Sequence, residues 1–149
     1  MKASMTPRVF WLSVVVPLLL VSAVVDSASA RDVPGVTVES LAEATTSWDG
    51  VDLPRYPDGM PQVTILKYTI PGHTVLPWHR HPVINAGYMV KGRLKVTTKT
   101  GEELYLAAGD TIVETVGTWH QGTNEHEEPV EIVVFYAGAV GDTLVEKAE

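Results

Sequence analysis

From position 62 onward the chain consists of short runs rich in Val, Ile, Thr and aromatic residues, each closed by Gly, Pro or Asn. That texture leaves few folds open, because short alternating runs between tight turns read as antiparallel β-structure. The spacing predicts strands over 63–70, 75–81, 86–90, 93–98, 103–106, 111–115, 119–122 and 130–136. The run 93–98 shows the period most clearly, with Leu94 and Val96 on one face and Arg93, Lys95 and Thr97 on the other. Pro71-Gly72, Lys91-Gly92, Thr100-Gly101 and Ala108-Gly109-Asp110 mark turns. No long amphipathic helical pattern follows Gly59, so about eight strands have to close into an all-β sandwich or barrel of their own.

The strands place a barrel over 60–140, an irregular N-terminal segment over 31–59 that packs on it, and a C-terminal tail over 141–149. One helical turn is predicted over 40–44 within the irregular segment. The last strand is unusual. Val130, Ile132, Val134 and Tyr136 share one face, but Val133 and Phe135 stand beside Glu131 on the other, so both faces are expected to be covered. Either a second copy of the chain, giving a homodimer, or residues 36–56 can provide that cover.

Upstream, Lys2 and Arg8 flank the start of an almost wholly apolar stretch, 9–25, and Ala28-Ser29-Ala30 is a small-x-small pattern before Arg31. This is the layout of a signal peptide over 1–30, with cleavage expected after Ala30 and the mature chain exported to a periplasm or secreted. An uncleaved anchor is the competing reading, since the run approaches the length of a span. Pro17 interrupts the run, and removal of the signal leaves no stable membrane anchor. The chain has no cysteine, so it forms no disulfide, and in an oxidising compartment the domain has to stand on its core or on a metal.

Charge narrows the partners. The 11 basic and 18 acidic residues give −7; without Lys2, Arg8 and Asp26, the remaining 9 and 17 give −8 over 119 residues, a single-domain length. That balance argues against nucleic acid and against an anionic membrane surface. Lys91, Arg93, Lys95 and Lys99 follow one strand and its turn, where they read as a solvated face.

Chemistry concentrates between 72 and 124. His79 and His81 are two apart, so on a strand their rings project to one side while Trp78 and Arg80 project to the other. His120 follows after 38 intervening residues. The sequence around the three resembles the two motifs of the cupin superfamily. Gly72, His79, His81, Asn85 and Gly92 match the first motif, with one extra residue before His79, and Gly109, Gly117, His120 and Asn124 match the second. The chain is therefore identified as similar to small single-domain cupins, and the resemblance selects a double-stranded β-helix, the jelly-roll barrel of that superfamily.

The resemblance also implies a divalent metal cofactor held by His79, His81 and His120, with Asn85 at the position where the family carries a glutamate ligand. Thr115 stands where the second motif has proline. Imidazole suits Fe, Mn, Ni, Cu and Zn, and the sequence does not distinguish among them. An amide is a neutral and weaker donor than a carboxylate, so three firm ligands would leave a position open for water or a small-molecule substrate. Glu114, in the strand entering the second motif, is the candidate for the missing charge or for a catalytic base; Gly117 breaks the strand between it and His120, and a surface carboxylate is the alternative. The compensation argument favours an inward Glu114. Apolar character nominates Ile84, Tyr88, Met89, Trp119 and Tyr136 as the pocket lining, while His73 and His126 fall in loops as bystanders. Two function classes follow: a metal-dependent enzyme of dioxygenase type acting on a small molecule, or a non-catalytic cupin that binds a small ligand or metal. No cysteine nucleophile, G-x-S-x-G elbow or phosphate-cradling glycine loop is present.

Overall fold

The computed structural model describes residues 35–148, of which those from Glu39 onward form one compact unit. The export signal expected over 1–30 and the cleavage point before Arg31 lie outside the described residues. Ten strands follow the irregular segment: β1 Pro61–Ile70, β2 Thr74–Val75, β3 His79–Arg80, β4 Ile84–Lys91, β5 Arg93–Thr98, β6 Glu103–Ala107, β7 Thr111–Val113, β8 His120–Asn124, β9 Val130–Ala139 and β10 Glu146–Lys147. They form two antiparallel sheets, one ordered β1-β9-β4-β7 and the other β10-β3-β8-β5-β6, with β2 also paired to β8. Strands adjacent in sequence cross repeatedly from one sheet to the other, which makes a double-stranded β-helix. There is no helix among the described residues.

Period-2 alternation fills the space between the sheets. Val130, Ile132, Val134 and Tyr136 of β9 meet Leu94 and Val96 of β5, and Met89 of β4 is fully buried. The motif glycine at 72 has a steric reason to be glycine: a Cβ there would lie 2.2 Å from the Glu127 carbonyl oxygen. Asn124, at the end of the second motif, is a structural clamp. Its buried Nδ2 donates to the carbonyls of Ile70, Pro71 and Glu128, tying the end of β1 to the loop before β9.

Three sequence expectations change. The strand predicted over 75–81 is two short strands, β2 and β3, because Pro77 has no N–H to donate and interrupts the ladder. Residues 40–44 carry no helical turn; the N-terminal segment instead makes a Thr46–Asp52 bridge, and Trp48 donates its amide to the Val113 carbonyl. The C-terminal residues include a strand, β10, which pairs with β3 and brings Glu146 opposite Arg80. That addition matters to the site.

Candidate metal centre

Strand register builds the histidine cluster. β3 and β8 pair so that His79 lies directly opposite His120, and His81 continues the chain into a bridge with Val116. The i, i+2 parity sends Arg80 the other way, where its Nε donates to Glu146 Oε2 at 2.6 Å and its guanidinium stacks 4.9 Å above the Trp119 ring. The three imidazole centroids are 4.4, 5.1 and 5.2 Å apart, and one nitrogen from each ring lies within 4.8 Å of the others.

Backbone carbonyls decide which nitrogen is free. Nδ1 of His79 donates to Pro77 O at 2.8 Å, Nδ1 of His81 to Leu144 O at 2.9 Å, and Nδ1 of His120 to Thr118 O at 2.9 Å. A carbonyl oxygen only accepts, so each Nδ1 carries the proton and each Nε2 keeps its lone pair. Buried Nε2 of His120 has no partner at all. Burial also lowers all three ring pKa values, that of His81 to about 4, which holds the rings neutral and ready to ligate. Three outward-pinned Nδ1 atoms and three free Nε2 atoms are the arrangement that metal-binding histidines require.

Glu114 completes the cluster from β7's C-terminal end. Its amide donates to the Asn85 carbonyl, its side chain is 11% exposed, and Oε2 lies 3.6 Å from His120 Nε2 without a hydrogen-bond partner. Burial pushes this carboxyl up to about 7 and pushes His120 down, so desolvation disfavours the charged form of both neighbours. Two facing, unpartnered and desolvated polar atoms are costly without a cation. Asn85 is fully buried on the inward face of β4, opposite Tyr136; its Nδ2 donates to Val83 O and its Oδ1 is likewise unpartnered. The residues present therefore fit a divalent ion, with His79, His81 and His120 as ligands and Glu114 as the nearby anion.

The histidines and Glu114 open on a cavity of about 230 Å³ whose remaining wall is mostly apolar, including Ile70, Leu94, Val96, Ile132 and Val134. Of the nominated lining residues only Tyr136 faces it, with its ring 5.6 Å from that of His81. The other four require correction. Met89 is packed in the core, Tyr88 projects from the opposite face of β4, Ile84 does not line the cavity, and Trp119 lies against Arg80 and Lys99. Strand parity explains three of them: β4 turns 85, 87 and 89 inward, so Ile84 and Tyr88 face out, and Trp119 immediately precedes inward His120, whereas Met89 points inward but is taken up by the core.

Sequence reasoning missed Tyr68 and the C-terminal segment. Tyr68 alternates inward with Ile70 on β1, a signal present in the sequence. Val145 and Lys147 wall the cavity, and the Leu144 carbonyl fixes His81, contributions that the backbone makes and side-chain identity does not announce. Ending the chain at Thr143 is expected to weaken divalent-ion binding roughly 10- to 100-fold, the usual cost of losing a partner that orients a ligand. Arg80→Ala, which breaks a half-exposed ion pair and the stack on the Trp119 ring, both on the face away from the histidines, is expected to stay within about twofold of wild type. Competition against a chelator of known affinity measures both, and equal affinity in the truncated chain would remove this role for the segment.

Residues 66–136 match the family described as Cupin domain. The barrel is a cupin fold. Among solved structures the cupin barrel is similar to a DMSP lyase, DddQ, from Ruegeria pomeroyi, with TM-score 0.51 and 17% identity over 58% of this chain and 43% of that one. It also resembles a double-stranded beta-helix protein from Klebsiella pneumoniae, with TM-score 0.50 and 20% identity over 65% and 86% of the two chains. An oxalate oxidase in complex with the substrate analogue glycolate gives TM-score 0.50 and 20% identity over 58% and 46%. The matched region thus spans less than half of the lyase and the oxidase. At these identities the likeness is one of fold. No curated protein sequence matches the chain.

Proposed function

We propose that this cupin is an exported, divalent-metal-dependent enzyme that acts on a small, mainly apolar molecule, with dioxygenase-type chemistry. The observation that carries it is the free Nε2 set of His79, His81 and His120 beside the buried, unpartnered Glu114 carboxyl, all facing one cavity. When bound, the ion supplies Lewis acidity and, if it is iron, manganese or copper, a redox couple. The chain's own groups do the rest. The three pinned rings fix the ion's position, the aliphatic wall excludes bulk water, and Oε2 of Glu114 is placed to hold or release a proton near neutral pH.

Asn85 in place of the family's glutamate favours a second reading, a cupin that binds a metal or small ligand without turnover. One experiment separates the two: metal content of the purified protein, followed by oxygen consumption with small phenolics and thiols. About one redox-active ion per chain with turnover supports the enzyme; zinc, or no turnover with any bound ion, supports the binding module. Export rests on the 1–30 pattern. A homodimer is supported by the outer face of the β1-β9-β4 sheet, where Ile65 aligns with Phe135 and Tyr88 with Val133, and where residues 39–56 leave Ile65 63% and Phe135 42% exposed. N-terminal sequencing and solution mass test these two statements.

A further inference from the structure

Tyr68 and Tyr136 face the cavity from adjacent strands β1 and β9, with their hydroxyl oxygens 3.0 Å apart. Two phenols own two protons, and the hydrogen bond between them uses one. The second O–H has no acceptor among the described residues, and both tyrosines line the cavity. Around it the wall is aliphatic, formed by Ile70, Ile132 and Val134. A lone donor in an apolar wall discriminates strongly, because an acceptor on the bound molecule satisfies it and a methylene leaves it unpaired.

Resting on the metal reading above, we infer that the Tyr68–Tyr136 pair is the orienting donor of the substrate site. The ligand class follows: a compact, mainly apolar carboxylate with a second oxygen acceptor, a ketone or hydroxyl, set away from the carboxylate. Two cationic features draw the carboxylate, the ion held by the histidines and Lys147, which lines the cavity beside His79. The apolar wall takes the hydrocarbon, and the spare tyrosine O–H takes the distal oxygen. The volume suits a compact molecule. A 150 Å³ apolar cavity accommodates benzene, so about 230 Å³ admits that bulk and a few atoms more.

The test is calorimetric binding to the full chain loaded with Co(II), using matched pairs: pentanoate against 4-oxopentanoate, and hexanoate against 5-oxohexanoate. At least one oxo acid is expected to bind wild type about tenfold more tightly than its partner, the effect of one well-made hydrogen bond. Tyr68→Phe/Tyr136→Phe removes both members of the pair, a change that leaves folding and Co(II) uptake near wild type. In that variant the oxo preference is expected to vanish while affinity for the plain acids stays within about twofold. Loss of the preference with Co(II) uptake intact supports the assignment. Absence of any preference in wild type, a measurement that needs no variant, overturns it, as does a preference that survives in the double variant. Failure of wild type to take up Co(II) instead overturns the metal reading and this inference with it.

Discussion

Glu114→Gln is expected to raise the stability of the metal-free protein by about 3 kcal/mol at pH 8 and to leave it nearly unchanged at pH 4. The cause is burial, which lifts the carboxyl from 4.5 to about 7 on folding. Below pH 4.5 the group is protonated in both the folded and the unfolded chain, so it costs nothing. Between 4.5 and 7 the unfolded chain releases the proton while the folded chain keeps it, and stability falls as pH rises. Above 7 the folded chain holds a desolvated anion, and the full cost is present. Glutamine keeps the shape and never ionises. The same substitution is expected to weaken divalent-ion binding by roughly 10- to 100-fold, because it removes the anion that lies 3.6 Å from a nitrogen that would ligate the ion. Denaturant unfolding of metal-free protein from pH 4 to 8, with chelator competition at pH 7.5, reads both effects. A stability difference that does not widen with pH would show that Glu114 is solvated, and unchanged ion affinity would remove it from the site.

That opposition, stability against binding, marks the limit of what the sequence discloses. The barrel was legible because alternation is a period of two and glycines punctuate it: Leu94 and Val96 face inward as the pattern of 93–98 requires. His79 and His81 were legible for the same reason, since parity alone puts Arg80 outside. Glu114 was reachable only by the argument that Asn85 leaves a charge unmet, because the chain leaves the β7 ladder after Val113 and parity is lost. Lining residues fared worst. Ile84, Tyr88, Met89 and Trp119 were nominated for apolar character, which a core residue, an outer-face residue and a cavity residue share. The orienting groups were least visible of all, since Pro77, Leu144 and Thr118 act through carbonyls that every residue type carries.

Loss of His120 is expected to have the largest effect on the site, lowering ion affinity by more than about 100-fold, beyond the range for residues that only orient a ligand. Of the three rings it is the most completely buried, and it is held twice. Its Nδ1–H lies 2.9 Å from the Thr118 carbonyl and 3.0 Å from the Thr115 hydroxyl. A proline at position 115, the residue of the motif that this segment resembles, would lack that hydroxyl, so Thr115 gives the ring a second acceptor. The Thr118 carbonyl alone fixes the tautomer, and Thr115→Pro or Thr115→Val is therefore expected to cost no more than about tenfold. His120→Ala opens a void in the wall and risks the fold. His120→Gln fills most of the space and is the cleaner variant. Titration of each metal-free protein with Co(II), with near-ultraviolet circular dichroism to confirm native packing, orders the series: wild type, then the Thr115 variants, then His120→Gln far below. If folded His120→Gln holds the ion within about tenfold of wild type, His79 and His81 bind it without the third ring, and the register of β3 against β8 has no part in the centre.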